Sequence, residues 1–152
     1  MTAGAAGEAA TDPVRGFLAA YAAAVRAKDV DAFAALYAAD VHVFDMWGRW
    51  SLRGIEAWHD MARGWFGSLG EETVEVGFDR VEARVADGLA VGHAIATYAA
   101  HAADGRRQRS LDNRITVALR EDGGGWRVFH EHTSAPIAHE TLKAILEYPA
   151  PD

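Results

Sequence analysis

The sequence predicts an α+β domain in which a curved antiparallel or mixed sheet wraps around three helices from the amino-terminal half. Three observations predict it. Apolar residues recur at three- and four-residue steps in three early segments, and two-residue alternation takes over between Thr73 and Ser134. The pairs Asp87-Gly88 and Asp104-Gly105 and the run Gly123-Gly124-Gly125 then cut the alternating stretch into four strands. Helices followed by hairpin-linked strands must cover one sheet face, because an apolar face needs a second layer.

The elements follow in order. Residues 1–11 are mostly Ala and Gly and are expected to form a disordered tail, with one domain over 12–147 and a second tail over 148–152. Asp12 before Pro13 suits a helix start, and Val14, Phe17, Leu18, Tyr21, Ala24 and Val25 form its buried stripe. Lys28-Asp29 interrupts the stripe, and Asp29 caps a second, short helix that buries Phe33, Leu36 and Tyr37. A strand follows from Val41 to Trp47, with Val41, Val43, Asp45 and Trp47 on one side. Ile55, Trp58, Ala62, Trp65, Phe66 and Leu69 have helical spacing. The remaining strands are expected near 73–86, 89–102, 108–120 and 126–134, with a short terminal helix over Ala135 to Leu146 carrying Leu142, Ile145 and Leu146.

Composition narrows the function. At 152 residues the chain fits one domain, and with no cysteine it has neither a disulfide framework nor a thiolate nucleophile. A formal charge of -7 argues against duplex nucleic acid as a partner. Arg106, Arg107 and Arg109, the one basic cluster, read as a solvated hairpin end beside Asp104-Gly105. No signal-peptide pattern and no long apolar run is present, so a cytoplasmic location without membrane association is expected.

The best lead to chemistry is Trp126-Arg127-Val128-Phe129-His130-Glu131-His132-Thr133-Ser134. Strict alternation puts Trp126, Val128, His130 and His132 on one face, an apolar surface that turns into two imidazoles. Keeping apolar residues together across the last hairpin sets Asn113 opposite His132 and Ile115 opposite His130; a one-residue slip would bring Arg114 and Thr116 there instead. Asp45, Tyr21, Asn113, His130 and His132 then form the candidate constellation. A carboxylate or imidazole in an apolar cavity suits proton abstraction beside a carbonyl, and Tyr21 or Asn113 can donate to the developing enolate oxygen. Trp47, Trp50, Trp58 and Trp65 fall within nineteen residues and can wall such a cavity. Trp47, Trp58, Trp65, Phe17 and His130 are the expected substrate contacts. His130 and His132 supply two same-face metal ligands but no third is evident, so no metal and no cofactor is expected.

Three segments carry a family resemblance: Leu36-Tyr37-Ala38-Ala39-Asp40-Val41-His42-Val43-Phe44-Asp45, Arg53-Gly54-Ile55-Glu56-Ala57-Trp58, and Gly125 through Pro136. Together with the order of elements they resemble the nuclear transport factor 2-like superfamily, and within it the SnoaL-like and ketosteroid-isomerase-like branch. The resemblance implies a cystatin-like fold, with a cone-shaped sheet enclosing a mostly apolar pocket, and a homodimer formed through the outer sheet face. It places Asp45 at the isomerases' aspartate base and Tyr21 at their oxygen-donating tyrosine. Ile115 stands where those enzymes carry a second acid, which leaves the second donor to Asn113 or a histidine. His130-Glu131-His132-Thr133-Ser134 is similar to SnoaL-like proteins, some of which are polyketide cyclases. The implied function is a cofactor-independent isomerase or cyclase acting on a hydrophobic carbonyl compound, with Asp45 as base, His132 as alternative base or acid, and Tyr21 and Asn113 as donors. The alternative is a non-catalytic ligand-binding or dimerisation module of the same fold.

Overall fold

The structure, a computed structural model, describes residues 12–149; the expected amino-terminal tail and the last three residues lie outside that range. Asp12 accepts a hydrogen bond from the Arg15 amide at 2.9 Å and, with Pro13, opens helix α1, Pro13–Ala27. Lys28 closes it in the left-handed region, its amide reaching the Ala24 and Val25 carbonyls. Asp29 caps α2, Val30–Ala34, accepting from the Ala32 amide at 3.0 Å.

Tyr37 opens strand β1, Tyr37–Phe44, instead of ending the second helix as the apolar spacing suggested. Parallel pairing with the last strand, beginning at Tyr37 against Val128, draws this segment into the sheet. Asp45 to Ser51 leave the ladder as a loop, so Trp47 is not a strand residue. Strand β2, Leu52–Arg53, returns against β1, and α3, Ile55–Ser68, follows.

Strands β3 (Thr73–Ala86), β4 (Leu89–His101), β5 (Arg107–Asp122) and β6 (Gly125–Ser134) form the expected antiparallel meander. The parallel β1–β6 contact makes the whole a six-stranded mixed sheet in the order β2-β1-β6-β5-β4-β3. The helices cover its inner face. Phe33 sits at the centre of the packing, fully buried, with its ring centroid 5.3–5.9 Å from those of Tyr21, Tyr37, Trp58 and Phe66. At the meeting of α1 and the sheet, Gly92 leaves room for Val14, whose methyl groups occupy the space a Cβ would need.

No terminal helix forms over Ala135 to Leu146. Ile137 instead bridges Ala144, the Ala138 amide bonds the Lys143 carbonyl at 2.8 Å, and the Ile145 amide bonds the Pro136 carbonyl at 2.7 Å. Proline next to the start and Leu142 in the left-handed region favour this folded-back loop over a helix. It is tied to β5 where the Asp112 amide donates to the Leu146 carbonyl at 2.8 Å, which puts Leu146 on the rim of the cavity described below. Among the described residues, no helix is long and apolar enough to cross a membrane.

Candidate active site

A bulge in β6 determines which side chains enter the interior. Leu119 pairs with Val128 and Ala118 with His130, so Phe129 is an extra residue without an opposite number. Val128 faces the core before the bulge. After it the phase is inverted, and Glu131 and Thr133 face inward while His130 and His132 face out. His132 lies opposite Thr116 and His130 opposite Ala118, in place of the expected Asn113 and Ile115. Arg114 pairs with Ser134, donating from Nε to Oγ at 3.0 Å.

The two histidines therefore belong to the outer face. The His130 ring lies 4.9 Å from the Phe44 ring, and its Nδ1 is 2.7 Å from the His42 carbonyl oxygen. The His132 ring stands edge-on to Phe44 at 5.4 Å. Among the described residues no group of three or more His, Asp or Glu side chains is placed to hold a metal ion.

The interior holds a cavity of about 970 Å³ between the sheet, α3 and the loop after β1. Tyr21, Trp58, Trp65, Leu69, Val74 and Tyr98 give it mostly apolar walls, with Trp47 at its mouth. Asp45, Asn113, Glu131 and Thr133 are the polar side chains that reach its depth. Of the residues singled out from sequence, Asp45, Tyr21, Asn113, Trp47, Trp58 and Trp65 meet at this cavity. Phe17 does not: it is a core residue packed between Tyr21 and Tyr37, at 5.8 and 5.7 Å.

Asp45 lies one residue beyond β1, beside the inward face of β6. Thr133 donates from Oγ1 to Asp45 Oδ1 at 3.1 Å and accepts from the Met46 amide at 2.9 Å, so one hydroxyl locks the loop and the carboxylate together. Burial raises the Asp45 pKa above the usual carboxylate value, and the Thr133 hydroxyl and nearby Met46 and Trp47 amides oppose that rise. A carboxylate raised in this way is a stronger base than an exposed one, which is the direction proton abstraction requires.

Glu131 is a second carboxyl on the cavity, only 1% exposed. The Tyr37 hydroxyl donates to its Oε1 at 2.7 Å, and its other oxygen has no hydrogen-bond partner among the described residues. Burial drives its pKa up to about 8; the Tyr37 bond pulls it down and the Asp45 charge pushes it up again. Tyr21 and Tyr98 share a hydrogen bond at 3.0 Å, and burial holds both phenols well above their ordinary pKa. Two buried polar atoms on the same cavity have no hydrogen-bond partner among the described residues: Asn113 Oδ1 and Trp58 Nε1. Asn113 Nδ2 reaches only the Met46 sulfur, at 3.3 Å. The Trp58 indole packs against the Tyr37 ring at 5.7 Å without closing a hydrogen bond. Buried groups left open in this way suit a ligand that carries both an acceptor and a donor.

Glu131, Thr133, Tyr37 and Tyr98 were not singled out from sequence. The first two are hidden by the bulge, which strict alternation cannot register; the tyrosines carry no local signal beyond apolar patterning.

The sequence profile of the SnoaL-like domain matches residues 14–138. The chain belongs to the SnoaL-like domain family. Its fold is the cystatin-like one of the nuclear transport factor 2-like superfamily. An NTF2-like protein of unknown function from Pseudomonas putida is 27% identical, with a TM-score of 0.78 over 90% of this chain and 94% of that one. A protein with a cystatin-like fold from Caulobacter vibrioides is 21% identical, with a TM-score of 0.66 over 80% and 86% of the two chains. An NTF2-like protein from Novosphingobium aromaticivorans, 15% identical, has a TM-score of 0.69 over 80% and 78%. No curated protein matches the chain. This SnoaL-like domain thus keeps its aspartate at the cavity and turns its histidine pair away from it.

Proposed function

We propose that this SnoaL-like protein is a cofactor-independent enzyme that enolises a hydrophobic carbonyl compound, in an isomerisation or an aldol-type cyclisation. The observation that carries this reading is Asp45, a carboxylate raised by burial and set on a largely apolar cavity whose unpartnered Asn113 and Trp58 atoms await a polar ligand. Asp45 takes the proton next to the carbonyl. Tyr21, Tyr98 and Asn113 line the same cavity and supply the polar contacts a ketone oxygen needs. Trp47, Trp58 and Trp65 hold the apolar body of the substrate. His132 has no part in this scheme, since it faces away from the cavity.

The test uses 1-tetralone as the probe and follows exchange of its α-protons in deuterium oxide by NMR. Enzyme should accelerate exchange over buffer, and Asp45→Asn should lower the accelerated rate by ~10²–10⁴-fold, the usual worth of a positioned base. Binding of the ketone, read from tryptophan fluorescence, should survive the substitution. Binding without any acceleration favours the other reading, a non-catalytic module that uses the same cavity.

A homodimer through the outer sheet face is part of the same proposal. Phe44 on β1 and Leu89 and Val91 on β4 leave apolar surface exposed there.

A further inference from the structure

We propose that Glu131 is a further catalytic residue, a carboxylic acid that gives its proton to the substrate's carbonyl oxygen while Asp45 removes the proton from carbon. The proposal rests on the enolisation reading above and extends it from a single base to an acid and base pair.

Four observations support it. Glu131 is buried and lines the cavity, and among the described residues no cation lies against it, so its charged form has only the Tyr37 hydroxyl to offset the cost of burial. The Tyr37 hydroxyl donates to Oε1, which leaves Oε2 as the oxygen free to carry a proton. Glu131 and Thr133 are two residues apart on the same face of β6, roughly 7 Å along the strand. Thr133 holds Asp45, and both carboxyls line the one cavity, where a bound carbonyl compound can meet the two together.

The step balances without any co-reactant. The C–H bond breaks and its proton goes to the Asp45 carboxylate; its electron pair forms the carbon–carbon double bond. The carbonyl π pair moves to oxygen, which bonds the Glu131 proton, giving a neutral enol and a Glu131 carboxylate. The Tyr37 hydroxyl bond stabilises that carboxylate, making Tyr37 a positioning residue. In the return half, Asp45 protonates a carbon and Glu131 recovers the oxygen's proton. The titratable groups that face Glu131 are Tyr37 from β1, Asp45 from the loop after it, Tyr21 from α1 and Tyr98 from β4. The inward residues of β5 beside it, Asn113, Ile115 and Val117, do not titrate, nor does Trp58 on α3.

Two measurements test this on the intact protein. In the first, 1-tetralone exchange is followed against pH for wild type, Glu131→Gln, Tyr37→Phe and Asp45→Asn. Wild type should lose rate as pH rises through about 8. Glu131→Gln should be slower by at least ~10-fold below that pH and lack the alkaline fall, and Tyr37→Phe should move the fall to higher pH. In the second, infrared difference spectra should show a neutral carboxyl C=O band that disappears in Glu131→Gln and shifts when 1-tetralone binds. If Glu131→Gln keeps both the wild-type rate and the alkaline fall, or if the band ignores the ketone, the proposal is overturned. An unchanged Asp45→Asn rate beside a slowed Glu131→Gln would instead reject Asp45 as base and leave Glu131 as an acid. A shifted band with exchange no faster than in buffer overturns the proton transfer itself.

Discussion

The Tyr37 hydroxyl donates a 2.7 Å hydrogen bond to Glu131 Oε1 across 94 residues of sequence, joining the first residue of β1 to the inward face of β6. Both residues are buried. The bond fixes where a buried carboxyl sits, and burial with no cation against it among the described residues favours its protonated form.

That arrangement has a consequence for stability. Burial pushes the pKa of Glu131 up to about 8 in the folded state, from the 4.5 of an ordinary glutamate, so between these values the folded state holds a proton that the unfolded state has released. Stability from this group is fully present below the unfolded pKa and declines as pH rises toward the folded one. Asp45, also raised, acts in the same direction. His42, whose pKa is lowered first by desolvation and then by Arg53, acts in the opposite sense, so a comparison with Glu131→Gln isolates the glutamate. Urea denaturation at pH 5.5 and 7.5 should show wild type losing roughly 2–3 kcal/mol more than Glu131→Gln over that interval. Equal losses in the two proteins would mean that Glu131 ionises without penalty.

His132→Ala should leave 1-tetralone exchange and binding within about twofold of wild type, because the ring contacts Phe44 on the outer face and not the cavity. Asp45→Asn should lower the accelerated rate by ~10²–10⁴-fold in the same assay. A His132→Ala enzyme as impaired as Asp45→Asn would place the imidazole back in the site.

These contrasts show where the sequence is legible. Helix starts follow from Asp12-Pro13 and Asp29, and the meander from Asp87-Gly88 and the glycine run, because such signals act within a few residues of chain. Asp45 was legible for a similar reason: Val41 and Val43 set the phase of β1 right up to it. Glu131 was not, since one unpaired residue at Phe129 inverts every later side chain of β6. Nothing in the residue types around Phe129 marks that bulge; it depends on how β6 fits between its two neighbours. The terminal loop reads as a helix in sequence because its Leu142, Ile145 and Leu146 spacing is helical, while its hydrogen bonds to Asp112 are set by β5.

Phe33 ties the helices to the walls of the cavity. Its ring, on α2, touches Tyr21, Tyr37, Trp58 and Phe66, which come from α1, α3 and β1. Phe33→Ala should cost about 3–5 kcal/mol in urea denaturation, because these rings cannot all collapse into the space. A loss below about 1 kcal/mol would show that the cluster repacks freely.

Thr133→Val offers the sharpest test of how Asp45 is tuned. The hydroxyl donates to the Asp45 carboxylate and thereby favours the charged form, so removing it lets burial raise the pKa further. Asp45 must be ionised to accept a proton, and the acidic limb of the exchange profile should therefore move to higher pH in Thr133→Val. Thr133→Ser, which keeps the oxygen, should restore it. The valine also strips the Met46 amide of its acceptor, a loss of ~1–3 kcal/mol that should appear in urea denaturation whatever happens to activity. A destabilised Thr133→Val whose acidic limb stays in place would mean that the hydroxyl holds the loop but does not tune the base.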